Sequence, residues 1–288
     1  MKRLGHNKTV ILITAGLLLL VALFVYSLQG EAVAYRATIS KEVQVEETWK
    51  LPADLAEVSG ISFFEKDKIA GVQDEKGVIY IYNLSTSSIE KEVEFAGAGD
   101  FEGIAIKDNV AYVLEANGKI HIVEDFMSTP RVKVVQTFFN VDNDMEGLFY
   151  DKSQNRLLLA PKLLDPNSKD QKAIYAAPLP SLDVAKTPVI SLSFEEELFN
   201  EIREEERGKT FFPSEIAIDP STKDILVLEA REPRLLILDP SGKPKALYKL
   251  DKSVFPQPEG ITFDGSGNLY ISSEGKPGRI HLVSITPN

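Results

Sequence analysis

One short pattern recurs along the chain at a nearly constant interval and limits the possible folds more than any other feature. It reads Val58-Ser59-Gly60-Ile61-Ser62-Phe63, then Asp100-Phe101-Glu102-Gly103-Ile104-Ala105-Ile106, then Asp144-Met145-Glu146-Gly147-Leu148-Phe149-Tyr150. Two further copies are Pro213-Ser214-Glu215-Ile216-Ala217-Ile218 and Gln257-Pro258-Glu259-Gly260-Ile261-Thr262-Phe263. The equivalent positions 59, 102, 146, 214 and 259 are 43, 44, 68 and 45 residues apart. A period of roughly 40 to 50 residues belongs to propeller blades or to helical arrays. The apolar alternation after each marker has the two-residue period of a strand. The expected fold is all-β, a five-bladed β-propeller.

Each unit divides into short runs rich in Val, Ile, Tyr and Phe with turn residues between them. In the first unit these are residues 59–64, 68–73, 77–83 and 88–95. Asp108-Asn109, Asn117-Gly118, Asp239-Pro240-Ser241-Gly242 and Asp264-Gly265-Ser266-Gly267-Asn268 supply residues that tolerate the positive φ of tight hairpins. The fifth unit stops after its third strand, near Ser284, while Val43, Val45 and Trp49 mark an orphan strand within residues 40–50. That strand is expected to complete the last blade and leave no open edge. The 68-residue step contains residues 194–207, where Phe194, Leu198, Phe199 and Ile202 share one helical face. A helical insertion there explains the long step, and a degenerate sixth blade is the alternative.

Residues 10–28 form an uncharged apolar run of 19 residues behind Lys2, Arg3 and Lys8. That is long enough to cross a bilayer as a helix, and the positive-inside rule keeps the N-terminus cytoplasmic. The expected organisation is a cytoplasmic tip and transmembrane anchor over 1–30, a tether over 31–39 and a propeller over 40–288. The propeller would then lie in the periplasm or outside a bacterial cell. A cleaved signal peptide ending near Ala32-Val33-Ala34 is the competing reading. Beyond the first 30 residues, 29 basic residues face 43 acidic ones, a net charge of −14. Such a surface repels nucleic acid and favours cations or basic partners. With no cysteine in the chain, disulfides, thiolate nucleophiles and Cys-ligated zinc are excluded.

In a propeller the innermost strand of each blade starts at one mouth of the central channel, and the second strand returns to it. Two sets of residues are therefore expected to converge there. The first is Ser59, Glu102, Glu146, Ser214 and Glu259, with Glu57 and Glu215 beside the serines. The second is Asp74, Glu115, Lys162, Glu229 and Glu274, which lie 15, 13, 16, 15 and 15 residues after the first. Carboxylates crowded at a narrow mouth repel, so either some stay protonated or a cation neutralises them. An oxygen-only donor set favours a hard ion, Ca²⁺ before Mg²⁺. The alternative is structural, each acid accepting hydrogen bonds from inner-strand amides and locking blade to blade. Lys162 replaces the acid of its blade, either to orient an anionic ligand group or to pair with a neighbouring Glu. His121 and His281 occupy equivalent third-strand positions away from the mouth, which suits repeat packing better than a catalytic triad.

The succession Glu57-Val58-Ser59-Gly60-Ile61, Asp100-Phe101-Glu102-Gly103-Ile104, Asp144-Met145-Glu146-Gly147-Leu148, Pro213-Ser214-Glu215-Ile216 and Gln257-Pro258-Glu259-Gly260-Ile261, behind an N-terminal anchor, resembles the SdiA-regulated family. The resemblance spans roughly Trp49 to Ser284. It implies a bacterial envelope β-propeller of phytase-like shape with a calcium-binding or calcium-response role, and it implies no reaction. The fourth marker departs from the pattern, with Glu215 where the others have Gly. Three functions remain in view: a Ca²⁺-binding ligand-binding or sensing module, a metal-dependent hydrolase acting on a phosphoester or lactone, and a protein-interaction scaffold.

Overall fold

The computed structural model describes residues 43–167, 171–194, 197–200 and 211–286. The apolar run 10–28, the tether 31–39 and most of the helix expected over 194–207 lie outside the described residues. Of that helix, a 3-10 turn at Glu197–Phe199 is described. Twenty strands build five four-stranded antiparallel sheets. β1 (Val43–Lys50) is followed by blade 1, made of β2 (Val58–Glu65), β3 (Lys68–Gln73), β4 (Lys76–Asn83) and β5 (Ser88–Ala98). Blade 2 has β6 (Phe101–Lys107), β7 (Val110–Glu115), β8 (Lys119–Glu124) and β9 (Arg131–Gln136). Blade 3 has β10 (Met145–Asp151), β11 (Arg156–Pro161), β12 (Lys172–Pro178) and β13 (Ile190–Leu192). Blade 4 has β14 (Pro213–Ile218), β15 (Ile225–Glu229), β16 (Arg234–Leu238) and β17 (Pro244–Lys249). Blade 5 has β18 (Gln257–Phe263), β19 (Leu269–Glu274) and β20 (Arg279–Ile285).

β1 supplies the fourth strand of blade 5, pairing antiparallel with β20 from Val43 opposite Ile285 to Lys50 opposite Arg279. The innermost strands β2, β6, β10, β14 and β18 neighbour one another in a closed ring. Within the long step between the third and fourth markers the described residues include the turn at Glu197–Phe199, and the five sheets leave no sixth among the described residues. The turn chemistry also follows the sequence. Asp108 has φ 53°, Gly118 φ 81°, Gly242 φ 89° and Gly267 φ 87°, all in the left-handed region that such residues adopt at low cost.

The alternation within strands buries one apolar cluster at each of the five blade interfaces. Blades 1 and 2 meet through Val72, Ile79, Phe95 and Phe101, and blades 2 and 3 through Leu114, Phe139, Leu148 and Tyr175. Blades 3 and 4 meet through Leu158, Phe194, Phe199 and Phe211, so part of the inserted segment is core. Blades 4 and 5 use Leu228, Tyr248, Phe255 and Ile261. Between blades 5 and 1, Trp49 of β1 packs with Tyr80, Tyr82 and Tyr270, and its Nε1–H donates to the Leu84 carbonyl oxygen at 2.9 Å. Each fully buried aromatic or aliphatic side chain contributes about 1.5–3 kcal/mol.

The marker glycine is explained by the same packing. A Cβ on Gly103 would lie 2.7 Å from the Leu148 Cβ and 2.9 Å from the Glu146 carbonyl oxygen, both in the next blade. Inner strands approach so closely there that only a hydrogen fits. Gly103→Ala is expected to cost about 1–3 kcal/mol as an overpacking change. A urea denaturation curve indistinguishable from that of the wild type would show the ring to be looser than this.

Candidate functional site: an acidic channel mouth

Each inner strand breaks register at its marker. Phe101 pairs with Glu115 and Gly103 with Leu114, which leaves Glu102 as an extra residue between them. Glu146 is placed likewise between Met145 and Gly147, Ser214 between Pro213 and Glu215, and Glu259 between Pro258 and Gly260. In blade 1 the break spans Ser59 and Gly60. A bulge re-aims the side chain of the extra residue out of the sheet's regular alternation. The marker is thus a blade ruler and a bulge that takes Glu102, Glu146, Ser214 and Glu259 out of the regular alternation of their strands.

Loops at this mouth are tied together by the backbone. The amide of Phe101 donates to the Asp74 carbonyl at 2.9 Å, that of Met145 to Ala116 at 2.9 Å, and that of Lys162 to Asp144 at 2.8 Å. On this frame the three glutamates of the pattern act on one another. Burial first, and then the Glu146, Glu259 and Asp100 charges, together lift the Glu102 carboxyl to about 10. Burial also lifts Glu146 to about 8 although Lys162 opposes the shift. Glu259 is lifted to about 8 by burial, then by Glu146 and Glu274. Lys162 donates from Nζ to Glu146 Oε1. It therefore pairs with the acid of its own blade, and burial notwithstanding its pKa is raised by Glu146 and Asp144.

A second group of acids sits where blade 5 meets blade 1. Asp74 is raised by burial and by Glu57 and Glu75, and Glu274 by burial, Asp74 and Glu57. Gln257 Nε2 donates to Glu274 Oε2 at 2.5 Å. Asp74 Oδ1 is buried with no hydrogen-bond partner among the described residues. Asp100 and Asp144, two residues before Glu102 and Glu146, also belong to this field. Their signal in the sequence is the Asp-x-Glu-Gly repeated in the second and third markers.

Of the remaining expected residues, Glu115, Glu229, Glu215 and Ser214 make hydrogen bonds inside the scaffold. Glu115 accepts from Asn117 Nδ2 at 2.6 Å and lies 2.5 Å from His121 Nε2, beneath Phe95 and Phe101, whose rings stand edge-on to the imidazole. Against burial, these bonds hold its carboxyl below the ordinary range. Glu229, fully buried, accepts from Arg234 Nη1 at 3.0 Å. Glu215 Oε1 accepts from the amides of Leu148 in blade 3 at 2.6 Å and Ile216 at 2.9 Å, and Ser214 Oγ donates to the Pro258 carbonyl of blade 5 at 3.0 Å. The departing fourth marker is therefore a clasp between three blades. Ser59 is buried at its bulge. His281 lies 2.9 Å from Thr48 Oγ1 through Nδ1 and edge-on to Phe255, a packing role in blade 5.

The mouth thus has two halves, Asp100, Glu102, Asp144, Glu146 and Lys162 from blades 2 and 3, and Glu57, Asp74, Glu259 and Glu274 from blades 5 and 1. The carboxylates among them, oxygen donors only, fit a hard cation, and so does the orphaned Asp74 oxygen. Among the described residues no three acidic or histidine side chains are already gathered as a metal cage. Collecting six or more oxygens requires side-chain movement at the mouth.

The fold has many solved relatives. The chain superimposes on the glutaminyl cyclase of Myxococcus xanthus with a TM-score of 0.61 at 13% identity, covering 85% of this chain and 97% of that one. It matches the PQQ-bound aldose sugar dehydrogenase of Streptomyces coelicolor with a TM-score of 0.52 at 13% identity, over 85% and 98% of the two chains. A protein of unknown function from Bacteroides thetaiotaomicron gives 0.54 at 14% identity, over 78% and 58%. At such identities the likeness is one of fold alone. No curated protein matches the sequence. Residues 34–281 match the SdiA-regulated family profile, a span that includes all five markers. With its bulged markers and its five closed sheets, the chain belongs to the SdiA-regulated family.

Proposed function

We propose that the protein is a membrane-anchored envelope propeller whose acidic mouth receives a cation, Ca²⁺ first, and serves as a ligand-binding or sensing module. The observation that carries this reading is geometric. Bulges in three of the five inner strands aim Glu102, Glu146 and Glu259 at one channel end, where Asp74 and Glu274 join them and Lys162 is already taken by Glu146. A divalent ion would be held by Asp74, Glu274, Glu57 and Glu259, with Glu102 joining from the other half. It would supply the charge that lets these carboxyls ionise together. The anchor rests on the run at 10–28 behind three basic residues.

Calcium binding is read by mass action on stability. In the full-length protein, 1 mM Ca²⁺ is expected to raise the melting temperature relative to EDTA, by about 2–4 °C for each kcal/mol of binding. Glu259→Gln with Asp74→Asn is expected to abolish most of the increment. An unchanged melting temperature sinks the calcium reading.

A second reading, a metal-dependent hydrolase of phosphoesters or lactones, is favoured by one feature. Glu102 is a carboxyl that keeps its proton at neutral pH beside the Glu146–Lys162 pair, which suits a group that gives and regains a proton. Turnover of a phosphoester or lactone that needs Ca²⁺ and is lost in Glu102→Gln would favour the enzyme over the sensor.

A further inference from the structure

Blade 3 extends a short ribbon beyond its sheet on the side of the acidic mouth. The ribbon continues from the β10–β11 pair, where Met145 stands opposite Pro161. The amide of Lys162 donates to the Asp144 carbonyl at 2.8 Å, that of Leu163 to Asn143 at 3.0 Å and that of Leu164 to Asp142 at 3.3 Å. A turn closes its tip, with the Asn143 amide on the Asn140 carbonyl at 3.0 Å. The amides of Asn140 and Asp142 donate to the side-chain oxygens of Asn143 and Asn140, both at 2.9 Å. The ribbon is also tied from behind. Buried Asn143 donates from Nδ2 to the Leu164 carbonyl at 2.8 Å, and buried Lys172 donates from Nζ to the carbonyls of Lys162, at 2.6 Å, and Leu163.

This well-bonded backbone holds apolar side chains in water. Val141 is 72% exposed, Leu163 43% and Leu164 53%. They are three of the seven large apolar residues exposed among the described residues, so the exposure is gathered on one element rather than scattered. None can turn inward without breaking the bonds beneath it. Apolar side chains kept together at a surface mark an interaction site, and a fixed backbone lowers the ordering cost of contact.

Charge decides which partner fits. Asp142 on the ribbon and Asp100 beside it are exposed, Asp144 is half-buried, and none of the three makes an ion pair among the described residues. Burial raises the Asp144 carboxyl and Asp100 adds to the shift, while Lys162 opposes it. Both lysines that touch the ribbon are engaged, Lys162 by Glu146 and Lys172 by the two carbonyls, with Asp165 near it. The apolar group therefore sits in an anionic field. A second copy of this chain, at −14 beyond residue 30, is repelled, as are nucleic acid and an anionic bilayer, whereas a basic segment is drawn in.

We propose that this ribbon docks a segment of a partner protein in which apolar residues lie beside Lys or Arg, the apolar side chains on Val141, Leu163 and Leu164 and the cations on Asp100, Asp142 and Asp144. The surface stands apart from the cation site read at blades 5 and 1, and its occupation needs no Ca²⁺.

Calorimetric titration of the full-length protein in EDTA with the peptide acetyl-LKLKL-amide tests the assignment, with acetyl-LELEL-amide and acetyl-SKSKS-amide as controls. The first is expected to saturate at one site and each control to bind at least about tenfold more weakly. Leu163→Ser/Leu164→Ser, which changes two exposed side chains, is expected to bring the Leu-Lys peptide down to the affinity of the Ser-Lys peptide. Asp142→Asn/Asp144→Asn is expected to reduce its preference over the Leu-Glu peptide. The proposal is overturned if the Leu-Lys peptide does not saturate, if either control binds as tightly, or if either double variant keeps the full preference it is meant to remove. It is overturned too if the wild type sediments as a dimer that Leu163→Ser/Leu164→Ser loses, since the patch then belongs to a second copy. Because these titrations contain no Ca²⁺, their failure leaves the calcium reading standing, and an unchanged melting temperature with Ca²⁺ leaves this one.

Discussion

In the metal-free protein, raising the pH from 5 to 8 is expected to lower the folding stability, the reverse of what paired carboxylates produce. Glu102 and Glu259 have folded pKa values lifted to about 10 and about 8 by burial and by the other acids of the mouth. A group of this kind holds its proton in the folded state and loses it in the unfolded chain. Its contribution is complete below the unfolded value near 4.5 and is lost as the pH rises through the folded value. The slope is about 1.4 kcal/mol per pH unit for each such carboxyl, so Glu102 alone accounts for a loss on the order of 2–4 kcal/mol over this range. Urea midpoints at pH 5, 6, 7 and 8 in EDTA read it directly, and Glu102→Gln is expected to flatten the curve and to exceed the wild type at pH 8. Ca²⁺, which competes with the protons, is expected to stabilise more at pH 8 than at pH 6. A flat or rising wild-type profile between pH 5 and 8 would falsify the picture of mutually repelling buried acids.

Below pH 4 the sign turns. Burial works against ionisation of Asp151 and Asp264, but Ser153 and Arg156 hold the first carboxyl low, and Asn268 with the Ser266 amide the second. Glu115 is held low in the same sense. These groups favour the folded state above their unfolded values, and that contribution is lost as the pH falls through their folded ones. The stability maximum is therefore expected near pH 5.

Arg234→Ala is expected to cost about 3–5 kcal/mol, as much as the loss of a large core side chain. Glu229 has no exposed surface and Arg234 is only 3% exposed, so removing the guanidinium takes the ion-pair partner from a carboxylate that water cannot reach. Much of the penalty is expected to return in Arg234→Leu/Glu229→Gln, because the pair itself contributes little beyond cancelling its own desolvation. The exposed Lys133–Glu124 pair of blade 2 serves as the contrast, with Lys133→Ala expected to change stability by less than about 1 kcal/mol. Equal effects from Arg234→Ala and Lys133→Ala would show that burial does not control these pairs.

How much of this was legible beforehand depends on how far each feature reaches along the chain. The blades, their strands, the glycine turns and the spare strand holding Trp49 are written in a two-residue alternation and in turn residues, and both act within a few positions of themselves. The marker glycine could be counted without being understood, since the atoms that exclude a Cβ at Gly103 belong to Leu148 and Glu146, more than 40 residues on. The acids show the same divide. Glu115, Glu229 and Glu274 occupy equivalent strand ends, yet His121 and Arg234 draw the first two into their blades while the third stays at the mouth. A histidine or arginine follows each of the three five or six residues later, His121, Arg234 and Arg279, so this local spacing does not tell the scaffold acids from the one at the mouth.

Order along the chain, then, was sufficient for the blade count, the closing strand and a list of acids from which the mouth is drawn, because strand periodicity and turn chemistry are local. Which acids keep company at the mouth, and that Val141, Leu163 and Leu164 stand exposed beside them, emerged only in the closed ring. Burial and charge repulsion are sums over neighbours from every blade, and those neighbours are set by packing rather than by sequence separation.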